Sequence, residues 1–135
     1  MSIQANDREL VERYFAAMQA GPAGVEQMVS LFAEDGEYVE PFSGNGQVRT
    51  HKGSDAIRAF FQESLNGPMG QEVRLSLDRL DLDGDRLRSE WTCSMPMLPQ
   101  PMHGHDLYTI EHGKIKRLEI TVYDMPPLGP PPEAR

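Results

Sequence analysis

The 135-residue sequence is poor in cysteine and contains no long apolar run. Its one cysteine, Cys93, cannot form a disulfide within the chain, and it follows Trp91 at strand spacing, as a core-filling residue would. No stretch approaches the ~20 apolar residues of a membrane-spanning helix. Residues 1–9 lack the apolar core of a signal peptide. These absences predict a reduced, cytoplasmic protein.

Basic residues are also scarce. There are 13 lysines and arginines against 21 aspartates and glutamates, which gives a net charge of −8. Such an acidic protein repels phosphate backbones and anionic membranes. We therefore expect neither nucleic acid nor a membrane as a partner.

Sequence motifs for cofactor binding are absent as well. No glycine-rich loop follows a predicted strand, which argues against dinucleotide and P-loop binding. No Gly-x-Ser-x-Gly elbow is present for a serine nucleophile. His103 and His105 have strand spacing and could bind a metal together with a carboxylate, but no third ligand has a suitable spacing. We expect neither a cofactor nor a metal.

Apolar spacing predicts three helices in the N-terminal half. The first begins at Asn6 and Glu9, which have the spacing of a capping box, and ends before Gly21. The second places Phe32 on its apolar face and ends before the glycine at position 36. The third is capped by Ser54 and is closed by the Gly-Pro pair at 67–68.

The remaining segments predict strands. A short strand, Glu37–Phe42, and a polar loop, Ser43–Lys52, separate the second and third helices. After residue 72 the apolar period changes to two, and turn signals at 83–85 and at Gly113 divide this region into four strands joined by hairpins, apart from a proline-containing loop over 96–102. The predicted fold is α+β: a curved, cone-shaped antiparallel sheet with three N-terminal helices packed on its concave face. Such a cone encloses a natural small-molecule cavity.

The sequence contains no repeats and no sign of a second domain. We expect one domain over residues 1–125 and a proline-rich tail over residues 126–135. The tail composition indicates a spacer or a disordered end, although Pro127 and Pro130 also fit the PxxP pattern of a polyproline ligand.

Asp106 is the most informative residue of the predicted strands. Alternation places it on one face with Tyr108 and Ile110. If that face is the core face, burial raises the pKa of the carboxyl, and a neutral carboxylic acid can donate a hydrogen bond. If Leu107 and Thr109 face the core instead, Asp106 lies in water. Strand periodicity leaves both arrangements open.

Two other residues are candidates to meet Asp106. Tyr14 lies on the apolar stripe of the first helix, and its buried hydroxyl needs a partner, either in a functional site or on a backbone carbonyl. Glu40 alternates with Tyr38 and Phe42, which places its carboxylate either among aromatic rings or in solvent at a strand end.

Several segments together resemble bacterial ketosteroid isomerases and, more widely, the NTF2-like superfamily with its SnoaL-like polyketide cyclases. The resemblance spans roughly residues 8 to 124. The matching segments are Glu12–Met18, Leu31–Asp35, Val39–Phe42, Gly53–Leu65, His105–Tyr108 and Gly113–Ile115. The resemblance implies the cone-shaped α+β barrel, a small hydrophobic carbonyl substrate (steroid-like or polyketide-like) and, for many members, a homodimer joined through the sheet.

The resemblance also implies roles for individual residues. Tyr14 matches the tyrosine that binds the oxyanion, Asp106 matches the protonated aspartic acid beside it, and Glu40 stands where the isomerases have their aspartate base. This implies an enzyme that isomerises a double bond through an enolate without a cofactor. We expect the substrate to contact a set of apolar and aromatic side chains: Phe42, Phe60, Phe61, Trp91, Tyr108 and Val122.

Two departures from the isomerases stand out. The residue at the base position is glutamate, whose extra methylene moves the carboxylate by more than about 1 Å, and misplacement of that order can cost about 10²-fold in rate. The segment after Pro41 is longer than in the isomerases and adds Arg49 and His51 near the expected pocket mouth.

Two alternatives to an isomerase are retained. In a SnoaL-like polyketide cyclase, Asp106 is the ionised acid/base and His103 or His105 assists it. In a non-catalytic small-molecule-binding protein, Glu40 points to solvent and Tyr14 bonds only backbone. Because one fold hosts many functions, only the arrangement of the site can discriminate among the three.

Overall fold

The structure is a computed structural model that describes residues 3–44, 47–67, 72–96 and 98–124. The predicted proline-rich tail lies outside the described residues, so the boundary at residue 125 stays a prediction. Among the described helices, none combines the length and apolarity needed to cross a membrane.

In the described part of the N-terminal half, three α-helices form, with a 3-10 turn, Gly21–Gly24, before the second. They are α1 (Ala5–Gln19), α2 (Val25–Ser30) and α3 (Ser54–Asn66). The predicted capping box is wrong: α1 starts one residue before Asn6, and its N-cap is Gln4, with no side-chain capping bond. The amphipathic stripe of α1, which includes Leu10, Val11 and Tyr14, is buried as predicted.

Among the described residues, six strands form one sheet. They are β1 (Phe32–Gly44), β2 (Gln47–Lys52), β3 (Arg74–Asp83), β4 (Arg86–Ser94), β5 (Met102–Glu111) and β6 (Lys114–Val122). Their order is β2-β1-β6-β5-β4-β3. Four of the five pairings are antiparallel, and the β1–β6 pairing is parallel. The curved, unclosed sheet with three helices confirms the predicted α+β fold.

The first two strands differ from the prediction. The second helix ends at Ser30, and Phe32 belongs to β1, where it lies opposite Ile115 of β6. The segment predicted as a loop contains β2, which pairs with β1 as an edge strand. Both errors have one cause. Pairing with distant residues outweighs local pattern, and β2 is exposed along its length except at His51, so it carries no apolar alternation to detect.

The alternation of β4 and β5 is confirmed. On β4, Ser89 and Trp91 point to the core, and on β5 Asp106 and Tyr108 do so. α1 packs near β3, while α3 packs against β1 and β2. The core therefore lies between the helices and the concave face of the sheet, and Asp106 is on that face.

Position 104 of β5 requires glycine, because neighbouring backbone and the Trp91 ring lie too close to leave room for a side chain. A Cβ at this position would lie 2.2 Å from the Thr121 carbonyl oxygen and 2.6 Å from Cζ2 of Trp91. We expect Gly104→Ala to lower the free energy of unfolding by about 3 kcal/mol, because backbone and a packed indole must both move. Urea unfolding measures this. Gly67→Ala is the control, since its Cβ would meet nothing closer than 3.4 Å. Equal midpoints for the two variants would contradict the prediction.

Candidate functional site

A mostly apolar cavity of about 90 Å³ lies between the helices and the concave face of the sheet. Its wall includes six of the nine residues proposed from the sequence: Tyr14, Phe42, Phe60, Phe61, Trp91 and Asp106. Tyr108 and Val122 do not line it, and neither does Glu40. Tyr108 is fully buried behind the wall, where it contacts Asp106.

Methionines form a part of the cavity wall, although none was among the substrate contacts predicted from the sequence. Met18, Met95 and Met102 line the cavity. Clefts that hold drug-sized ligands usually measure about 300–1,000 Å³, well above this cavity. Unbranched methionine side chains adapt their shape readily. A ligand larger than a small ring therefore requires these side chains to move.

Asp106 is the acidic group in the cavity wall, and it is 2% exposed. The Trp91 indole N–H donates to Oδ1 over 2.9 Å. The Tyr108 and Ser89 hydroxyls donate to Oδ2 over 3.1 Å and 3.4 Å. Burial raises the pKa of Asp106 to about 7 from 3.8, and the three hydrogen bonds oppose that rise only in part. Asp106 can therefore gain or lose a proton near neutral pH.

One acceptor position on the Asp106 carboxyl remains open. Oδ2 receives two hydroxyl groups, whereas Oδ1 receives only the Trp91 N–H among the described residues. A carboxylate oxygen has two lone pairs, so Oδ1 keeps one for a proton or for a ligand. The three donors also fix the plane of the carboxyl group.

Tyr14 supplies a hydroxyl to the same cavity. Its side chain is buried, and its hydroxyl lies 3.4 Å from the hydroxyl of Tyr38, which also lines the cavity. Burial, followed by the influence of Tyr38 and Asp106, raises the pKa of Tyr14 well above its ordinary value. The hydroxyl therefore stays protonated and can donate a hydrogen bond. Its partner is a side chain, which differs from the backbone bonding expected of a purely structural tyrosine.

Glu40 is buried, and both of its carboxylate oxygens already take part in hydrogen bonds. Its Oε1 accepts the backbone N–H groups of Phe42 at 2.7 Å and Ser43 at 2.9 Å. Its Oε2 accepts the Ser43 hydroxyl and pairs with His51 Nε2 at 2.8 Å. Burial favours a higher pKa, but the bonds from Ser43, His51 and Phe42 outweigh it and lower the pKa of Glu40. Glu40 thus holds the irregular end of the β1–β2 pair, instead of standing free across the cavity from Asp106.

Removing the Glu40 carboxylate should destabilise the protein. We expect Glu40→Ala to lower the free energy of unfolding by about 3 kcal/mol, because two backbone N–H groups, a hydroxyl and an imidazole lose their acceptor. Glu40→Gln should cost about 1 kcal/mol, since its amide oxygen can still accept both backbone groups. Chemical unfolding measures both. Glu12→Ala, at an exposed site on α1, is the control. A Glu40→Ala midpoint matching the control would contradict this role.

The remaining candidates lie away from the cavity or are chemically inert. His103 and His105 face the opposite side of the sheet, where they bond Asp124 and Tyr123, each over 2.8 Å. Cys93 lines the cavity, but burial raises the pKa of its thiol to about 11, so the nucleophilic thiolate is scarce near neutral pH. Within the part of the chain that the structure describes, no three histidine, cysteine or acidic side chains cluster as a metal site would.

Sequence reasoning did not foresee the contacts that three residues make around the site. Ser89 and Tyr38 are fully or almost fully buried and bond Asp106 and Tyr14 respectively. A serine among apolar residues on the core face of β4 was the available signal for Ser89. His51 was expected near the pocket mouth, but its pairing with Glu40 could not be foreseen, because its strand was taken for a loop.

Solved structures with this architecture define the class of fold. A protein from Kribbella flavida proposed to be a ketosteroid isomerase is 20% identical, with a TM-score of 0.67, covering 96% of this chain and 86% of its own. A proposed polyketide cyclase from Sinorhizobium meliloti is 22% identical, with a TM-score of 0.68 and coverages of 84% and 94%. A cystatin-like protein of unknown function from Methylobium petroleophilum is 14% identical, with a TM-score of 0.71 and coverages of 94% and 82%. These similarities establish an NTF2-like, cystatin-like fold.

A family model places the chain more closely. The model of the SnoaL-like domain matches residues 11–118, and the chain belongs to that family within the NTF2-like superfamily. No curated protein sequence matches the chain. The resemblance read from the sequence is thereby confirmed at the level of family and fold.

Proposed function

We propose that the protein catalyses cofactor-independent proton transfer at a carbon alpha to a carbonyl group, in a small hydrophobic compound. The observation that carries this proposal is a buried Asp106 with a pKa of about 7 in the wall of an apolar cavity. General acid–base catalysis is most effective when the pKa of the group lies near the working pH. The SnoaL-like family, with structural neighbours proposed to be an isomerase and a cyclase, supports an enzyme of this kind.

In the proposed reaction, ionised Asp106 takes up the alpha proton through Oδ1. Tyr14 donates a hydrogen bond to the substrate oxygen, on which negative charge develops as the enolate forms. The apolar surroundings strengthen both interactions. Return of a proton at a second carbon completes a double-bond isomerisation.

These roles differ from those implied by the isomerase resemblance. There, Glu40 removes the proton and Asp106 donates a hydrogen bond. Glu40 is engaged by four donor groups and does not line the cavity, which favours Asp106 as the group that moves the proton. Glu40 as a direct base is kept as the competing assignment.

Ultraviolet absorbance tests the proposed activity. A β,γ-unsaturated ketone gains absorbance when its double bond moves into conjugation with the carbonyl. A series from a single cyclohexenone ring to a four-ring steroid would also show how far the methionine-lined wall opens. Turnover that depends on Asp106 supports the proposal. Tight binding of these ketones without turnover would favour the non-catalytic alternative.

A cyclase is the second candidate. The enolate would then attack another carbonyl of the same substrate molecule, and Asp106 would act as the acid/base. Its pKa near neutrality suits that role. The expected assistance from His103 or His105 is not supported, because both bond partners on the outer face of the sheet. A linear diketone converted to a ring product would identify this reaction.

Location and assembly stay predictions from the sequence. A homodimer joined through the sheet is expected from the family resemblance, and a cytoplasmic location is expected from the cysteine usage and the lack of a signal-peptide pattern. Light scattering of the purified chain measures its mass against the 15.2 kDa of one copy.

A further inference from the structure

Glu40 and His51 form a carboxylate–imidazole pair beside the cavity. His51 Nε2 lies 2.8 Å from Glu40 Oε2, and both side chains are buried. Since the hydrogen bonds to Glu40 lower its pKa, the carboxylate is ionised near neutral pH and fixes the proton of His51 on Nε2. This is the arrangement in which a carboxylate orients a histidine for proton transfer.

The other ring nitrogen of His51 is open. Nδ1 has no hydrogen-bond partner among the described residues. Every fully buried side-chain nitrogen or oxygen atom of those residues does have a partner, so Nδ1 cannot be fully buried. Nδ1 therefore borders accessible space. Its proton is the one that His51 can exchange when the ring is an imidazolium.

The pair adjoins the cavity wall through three lining residues. The His51 ring lies over Phe60, with centroids 4.5 Å apart and the planes tilted by 32°. Tyr38 is the strand neighbour of His51, and the Phe42 N–H donates to Glu40. Tyr38, Phe42 and Phe60 all line the cavity. His51 thus stands at the β1–α3 side of the site, whereas Asp106 lies on β5.

We propose that His51, oriented by Glu40, is the second acid–base group of this site. The inference rests on the proposed proton-transfer function. Three hydrogen bonds fix the Asp106 carboxyl group, so it cannot readily move from the alpha carbon to the remote carbon to deliver a proton there. His51 does not itself line the cavity; its ring packs against Phe60, which does, so contact between His51 and a substrate requires the Phe60 ring to move. A second acid–base group on a different strand from Asp106 would solve this geometric problem.

Two proton transfers make up the proposed reaction, one at each carbon. The Asp106 carboxylate takes the alpha proton, which leaves a neutral carboxylic acid and an enolate. The imidazolium of His51 gives its Nδ1 proton to the remote carbon, which leaves neutral His51 and the conjugated ketone. Asp106 then releases its proton to water and His51 takes one up, so that no net proton is consumed.

Variants of the pair test this assignment on the ketone series. His51→Gln should lower turnover about 10²-fold, the usual contribution of one acid–base group. Glu40→Gln should lower turnover similarly, and the double variant should lose no more, because the two residues act as one unit. His103→Gln is the matched control, since His103 forms the same kind of pair with Asp124 on the outer face. If Glu40 were the direct base, Glu40→Gln alone would abolish turnover.

Isotope transfer separates catalysis from a merely structural role. In D₂O the product should carry deuterium at the remote carbon, because the delivered proton comes from His51 and exchanges with solvent. A product that retains the substrate's own proton, with His51→Gln turning over at the wild-type rate, would overturn this inference while leaving Asp106 catalysis in place. Loss of deuterium delivery in His51→Gln supports it.

A measurement on the unaltered protein covers the case in which a variant fails to fold. The ¹⁵N shifts of neutral His51 should show the proton on Nε2 and a bare Nδ1. Binding of 2-naphthol, a planar hydroxyl compound that imitates an enol, should shift the His51 signals and leave His103 unchanged. A proton on Nδ1, or no response of His51 to a bound naphthol, would overturn the assignment. Absence of turnover with every ketone would instead refute the proposed function.

Discussion

Replacement of Asp106 by asparagine is expected to lower turnover about 10³-fold, with the fold intact. The amide oxygen can still accept the Trp91 N–H, and the amide nitrogen can donate to the hydroxyls of Ser89 and Tyr108, which now bond Oδ2. An amide cannot take up a proton at neutral pH. Loss of a general acid–base group usually costs about 10²–10⁴-fold. Steady-state kinetics on the best ketone substrate, from pH 5 to 9, measure the effect.

The control for this variant is Asp78→Asn. Asp78 also accepts two hydroxyl groups, from Ser76 at 2.6 Å and Thr92 at 2.5 Å, but it does so on the exposed face. It should retain wild-type turnover. The pH profile of the wild type should change near pH 7 and that of Asp106→Asn should not. Residual activity within tenfold of the wild type would remove Asp106 from the mechanism.

The second large effect concerns stability and pH. The carboxyl of Asp106 has a pKa of about 7 in the folded protein and 3.8 as its ordinary value, so the folded state binds the proton more tightly than the unfolded state. Its contribution to stability is therefore present in full below about pH 4 and is lost as the pH rises through about 7. At 1.36 kcal/mol per pH unit, the loss across this interval is about 4 kcal/mol.

Asp106→Asn isolates this contribution because the amide does not titrate. The difference in unfolding free energy between variant and wild type should grow in favour of the variant from pH 4 to pH 7, and then level off. Other groups oppose the trend: burial, and then Arg88, lower the pKa of His105, which makes stability rise with pH. Because both proteins contain His105, its effect cancels in the difference. A difference that stays constant between pH 4 and 8 would show that Asp106 is not buried in its neutral form.

The two acidic residues of the site illustrate how context assigns a role to a carboxyl group. Both are buried, and yet their pKa values move in opposite directions. Glu40 receives two backbone N–H groups as well as two side chains, whereas Asp106 receives side-chain donors only. The larger number of donors stabilises the charge of Glu40, while desolvation dominates at Asp106.

Much of the fold followed from local pattern. Alternation over β3 to β6, the glycine turns and the stripe of α1 predicted these elements because each has one face in the core and one in solvent. The family resemblance then placed Tyr14 and Asp106 in one site, and both line the same cavity.

Contacts between distant parts of the chain decided the rest. β2 forms a strand because it pairs with β1, and Phe32 is extended because it pairs with β6. Neither pairing can be recognised from the neighbouring residues in the sequence. The face that Asp106 presents was open on periodicity alone, and packing against Trp91, Ser89 and Tyr108 settled it. The surroundings of Glu40 depend on the irregular end of the β1–β2 pair and on the hydrogen bond from His51 of β2. Residue types thus supplied the chemical groups, and the tertiary structure determined which carboxyl keeps its charge and which one can exchange a proton.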